Sequence, residues 1–146
     1  MNTTDMTFVQ AATMLAAHLA DHAVPEPASL SVTTRNGHPK VTAQLRSSTV
    51  PTIAADLLAW ADTLNVVTVE AWRPPHSDRV HLSITSTLTS PASAVELDVY
   101  AGVDHDPVLF ADLAPGNHQT LPIGHLRAWA ASTTTNPVPD APAAQR

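Results

Sequence analysis

The sequence predicts an α+β domain: a two-layer sandwich in which two to three helices cover one face of a mostly antiparallel sheet of about five strands. Three observations carry that reading. Apolar residues recur at helical spacing in three separate segments. Between those segments they alternate with polar residues at period two. Where the first two alternating runs meet, Asn36-Gly37 supplies the positive φ angles of a tight turn. At 146 residues the chain suits one domain, which buries roughly two-thirds of the surface of its unfolded state. Residues 1–131 make that domain, and residues 132–146 read as a solvated, disordered tail without apolar periodicity.

The first helix runs over residues 5–22, with Phe8, Ala12, Leu15 and Leu19 on one stripe and Asp5 as its cap. Pro25 and Pro27 end it, because each removes a donor and pushes its neighbour to extended geometry. A hairpin follows, with Leu30, Val32 and Thr34 on one side of its first strand and Val41, Ala43 and Leu45 on the return. Ser48 or Thr49 caps a second helix that has Pro51 in its first turn and Ile53, Leu57, Trp60 or Ala61, and Leu64 at helical spacing. Strands come next at 66–72, 79–88 and 93–101. In them Val80, Leu82, Ile84, Leu88, Val95, Leu97 and Val99 oppose His81, Ser83, Thr85, Thr87, Glu96, Asp98 and Tyr100, so one face is apolar and the other polar. Residues 103–121 fit either a short helix or a loop, and a last helix takes Thr120 as cap, Pro122 early, and Ile123, Leu126 and Trp129 on one face.

Composition narrows the chemistry. The chain has no cysteine, which excludes disulfides and thiolate sites and suits a reducing cytoplasm. A net charge of -6 works against coating a phosphate backbone or an acidic membrane, and the N-terminal stretch reads as neither leader nor membrane span. Gly37, Gly102, Gly116 and Gly124 are scattered, so no phosphate-cradling loop is present and no cofactor is expected. No G-x-S-x-G elbow appears, and the pairs Asp104/Asp106 and Glu96/Asp98 read as solvated carboxylates.

Three functional readings remain. In a metal-dependent enzyme, His18 and His22 in "HLADH" share one side of a helix, and Asp104, His105 or Asp106, with His118 and His125 further on, complete the ligand set if the fold brings them together. H-E-x-x-H is absent, and two boundary histidines on a structural helix explain the same fragment. In a nucleic-acid-associated protein, Arg35, Lys40 and Arg46 on the first hairpin, with Arg73 and Arg79 nearby, form the basic footprint, next to Ser31, Thr33, Thr42, Gln44, Trp72 and Tyr100 on the polar face. The reading favoured by the pattern is a non-enzymatic interaction module. It uses Trp72, Tyr100, Arg35, Arg46 and His81 on the open face, or an edge strand, to hold another protein or a second copy of itself.

The segments "LLAWADTL", "VHLSITSTL", "VELDVYAGVDHDPVLFADLAPG" and "LPIGHLRAWAAS" resemble a family of small uncharacterised actinobacterial proteins of streptomycete type, associated with mobile elements. The resemblance spans roughly residues 6–131 and implies no catalytic or ligand residues.

Overall fold

A capping box starts the first helix. In the computed structural model, which describes residues 7–36, 38–91 and 93–135, the Thr7 hydroxyl accepts the Gln10 N–H at 3.1 Å. The Gln10 side chain in turn accepts the Thr7 N–H at 2.8 Å. Helix α1 therefore runs Phe8–Asp21, and Asp5, expected as its cap, lies outside the described residues. Thr7→Ala should lower stability by about 1 kcal/mol, read as a shift in urea midpoint. The buried stripe is Ala11 and Leu15 with Met14 and Leu19 beside it, not the expected Phe8 and Ala12. Phe8 is 55% exposed, because the ladder of fours back from Leu19 reaches Ala11, whose small side chain meets the sheet.

Strands β1 (Ser29–Arg35) and β2 (His38–Gln44) form the expected hairpin, closed by the pair Arg35 and His38. Asn36 at the turn has a φ of 53°, a left-handed angle that asparagine tolerates. Helix α2 (Val50–Ala61) starts at Thr49, whose hydroxyl accepts the Thr52 N–H, with Pro51 in the first turn where no donor is needed. Strands β3 (Thr68–Trp72), β4 (Arg79–Ser90) and β5 (Ser93–Asp104) follow. After them come β6 (His118–Leu121) and α3 (Ile123–Thr135).

The fold is α+β, and its sheet has six strands rather than about five, in the order β1-β2-β5-β4-β3-β6. All neighbours run antiparallel except β2 and β5, which are parallel. The additional strand, β6, falls in the stretch 103–121 that fitted either helix or loop, and pairs with β3. Thr120 therefore lies in a strand and does not cap the last helix. Gly116 makes the approach possible: its φ of 83° turns the chain so that its N–H reaches the Arg73 carbonyl at 2.6 Å, and the ladder continues from there. Residues 132–135, expected in the tail, are helical, and 136–146 lie outside the described residues.

One sheet face carries the core. Val41, Val69, Val80, Leu82, Ile84, Leu97 and Val99 are buried together with Ile53, Leu57 and Trp60 of α2. Helix α3 buries Leu126, and Phe110 and Leu113 from the β5–β6 connection plug the same cluster. Among the described residues no helix lies over the opposite face.

Candidate functional site

Register decides what stands on the uncovered face. Trp72 pairs with His81 on β4 and with His118 on β6, while Tyr100 of β5 pairs with Ser83, one step diagonal to His81. The side chains consequently form a continuous row of rings. Tyr100 and His81 stack at 5.3 Å between centroids, His81 meets Trp72 edge-on at 5.4 Å, and Trp72 stacks on His118 at 5.5 Å with 18° between planes. Glu70, Ser83, Thr85, Glu96, Asp98 and Lys40 join these rings around a hollow of about 460 Å³.

The charges in this hollow are unbalanced. Lys40 Nζ lies 3.6 Å from Asp98 Oδ2, and His118 Nδ1 lies 3.8 Å from Glu70 Oε1. Burial pushes the Asp98 carboxyl above its usual range; Lys40 pulls it back, and the nearby Glu96 and Glu70 carboxylates push it further up. The other oxygen, Asp98 Oδ1, is shielded from solvent with no hydrogen-bond partner among the described residues. Burial, and secondarily Arg79, lowers the His81 pKa against the opposing pull of Asp98, so the ring is neutral at pH 7. The face is an aromatic floor beside three carboxylates and the Lys40 ammonium.

His18 is lowered too, first by burial and then by His22, with Asp21 opposing. Both imidazoles therefore shed, on folding, a proton that the unfolded chain holds up to its ordinary value of 6.5. Stability should be full above that pH and fall as the pH drops below 6.5 through the folded values. Urea titrations at successive pH values should show that fall, and His81→Asn should make it shallower.

Of the residues expected to form the interaction face, Trp72, His81 and Tyr100 come together. Arg35 stands at the turn end of the hairpin, paired with His38, and the exposed Arg46 lies beyond the open end, eight positions from His38 or roughly 26 Å. Lys40, between them, is paired with Asp98, so the basic footprint expected for nucleic acid is spread out and partly neutralised. Arg79 pairs with Asp104 at 2.8 Å, and Arg73 is spent inside the fold. Glu70 and His118 are members of this face that the sequence pattern did not assign to it, His118 having entered only as a candidate metal ligand. Glu70 was legible from its alternation with Trp72, whereas His118 needed β6.

The metal set is not brought together. His18 and His22 have ring centroids 4.4 Å apart, beside Leu88 and Ser90 at one end of β4. Asp104 pairs with Arg79 at the other end, nine positions away, roughly 30 Å. The Thr63 hydroxyl gives its one proton to the Trp60 carbonyl and so accepts from His18 Nε2, which fixes that nitrogen as a donor. Asp106 accepts the Val108 N–H, and His105 lies against Arg73 and Phe110. Among the described residues no three His, Asp or Glu side chains are grouped to hold a metal ion. Zinc or a chelator should leave both the mass in solution and Tm unchanged, measured by light scattering and calorimetry.

Among the described residues no helix is long and apolar enough to cross a membrane. No protein-family model, curated protein or solved structure matches the chain, so the geometry of the uncovered face carries the functional argument.

Proposed function

We propose that the protein is a non-enzymatic interaction module that docks a partner protein on the uncovered face of β5, β4, β3 and β6. The observation that carries this reading is the unbroken row of Tyr100, His81, Trp72 and His118 beside a hollow, with no covering helix among the described residues. Water is a poor neighbour for such a row: aromatic side chains give large contact areas, and Trp and Tyr are the residues that dominate docking energies. Face-to-face self-association is opposed by charge, since Glu70, Glu96 and Asp98 of one copy would meet the same carboxylates of the other. The same charges disfavour phosphate backbones. An acidic chain without cysteine suits a reducing cytoplasm, where we place the protein.

A nitrogen-15-labelled sample screened by NMR against a mixture of small aromatic and polar fragments tests the reading. Amide shifts should concentrate in residues 70–72, 81–85, 96–100 and 118. Shifts confined to the hollow beside His18 and His22, or none at all, overturn it.

A further inference from the structure

The charges and ring planes of the face also narrow the chemistry of what it holds. Three carboxylates, Glu70, Glu96 and Asp98, share the hollow with a single lysine, Lys40. They act on one another, since Glu96 and Glu70 both push up the Asp98 carboxyl. An arriving cation relieves that repulsion, whereas an anion or a second acidic surface adds to it. Carboxylate oxygens only accept, so Glu70, Glu96 and the partly buried Asp98 are matched by a ligand rich in N–H donors. A quaternary ammonium has no N–H to give. The rings add faces for a cation to stack on, with Trp72 and His118 within 18° of parallel and His81 edge-on to Trp72. Guanidinium is planar, carries five N–H donors, stacks on aromatic faces and pairs with carboxylates in a fork.

Size separates a free small molecule from a chain. Four neighbouring strands carry the rings, so the row is roughly 14 Å from β5 to β6, longer than one guanidinium covers. We infer that the face holds a basic, extended segment of a partner protein, whose arginine side chains stack on Trp72 and Tyr100 and donate to Asp98, Glu96 and Glu70. This rests on the docking reading above and names the partner's chemistry.

The test is an NMR titration of the labelled protein with the capped peptide acetyl-GRGRG-amide, with counterparts carrying lysine or citrulline in place of arginine, and with free arginine amide. The arginine peptide should shift residues 70–72, 81–83 and 96–100, weakening steeply with added salt. Lysine should cost several-fold in Kd, and citrulline, which has a similar shape but no charge, about tenfold or more. Trp72→Ala should weaken the arginine peptide about tenfold or more. Exposed Glu96→Gln leaves the rings untouched and should weaken it several-fold. Equal binding of the citrulline or lysine peptide at this face overturns the guanidinium assignment and leaves the docking reading standing. Free arginine amide binding as tightly as the peptide overturns the segment in favour of a small molecule. Failure of the arginine peptide to bind overturns the inference, and if fragments also avoid the face, the docking reading falls with it.

Discussion

Trp60→Ala should lower the unfolding free energy by about 3–5 kcal/mol, the loss typical of truncating a large buried aromatic side chain. Trp60 is fully buried, the largest side chain in the core to be so, and lies on α2 against the sheet. Its role extends beyond the volume it fills. The indole Nε1 donates to the Pro25 carbonyl at 3.2 Å, and the His18 ring stacks on it at 6.0 Å. One residue thus ties together α2, α1 and the extended segment between α1 and β1. Since a domain of this size is stable by about 5–15 kcal/mol, the variant should be partly unfolded or melt far lower. Trp129→Ala is the comparison: that ring is only half-buried, edge-on to Phe110 at 5.8 Å, and should cost clearly less. Urea unfolding followed by far-UV circular dichroism measures both, and a Trp60→Ala loss no greater than that of Trp129→Ala would contradict the account.

The second large effect concerns Arg73, whose side chain is only 17% exposed. Its guanidinium donates to the Leu113 carbonyl at 3.1 Å and to the Ser77 carbonyl at 3.4 Å, reaches His105 Nε2 at 3.4 Å, and lies 3.8 Å from Asp78 Oδ1. Its own backbone exchanges hydrogen bonds with Asn117 and Gly116. Arg73→Ala removes a charged donor from two partly buried carbonyls, and should cost about 2–3 kcal/mol. The damage should be local first, with amide exchange in 105–117 accelerating more than in β4 or β5. Arg73→Lys should recover only part of the loss, because a single ammonium cannot serve that many directions. Uniform acceleration across the sheet would show that Arg73 acts on the whole core rather than on this connection.

Much of the site was legible before any coordinates. Period-two alternation around Val80, Leu82 and Ile84 forces His81 onto the opposite face, and the same logic puts Tyr100 beside Asp98. His118 was not legible, because β6 is four residues long and too short for alternation to be counted. The charges misled for a physical reason. Lys40 and Arg73 look like a cationic surface in sequence, but their partners, Asp98 and the Leu113 carbonyl, are distant in the chain and meet them only through tertiary pairing. The start of α1 shows the local limit: Asp5 and Thr7 are both good caps, and the reciprocal bond with Gln10 decides for Thr7.

The lone parallel ladder between β2 and β5 has a kinetic consequence. Lys40 pairs with Glu96 across 56 positions, and α2, β3 and β4 all lie between them in the chain. The β1-β2 hairpin closes locally, and so does the β3-β4-β5 meander, but joining the two requires a long loop to close before its contacts reward it. The two halves should therefore form early as separate units and dock in the slow, rate-limiting step. Three of the rings, Trp72, His81 and Tyr100, belong to the meander, while Lys40 arrives with the hairpin. Before docking, the meander exposes an aromatic, acidic surface and the unpaired edge of β5 together, which makes that intermediate the species most prone to associate with other chains.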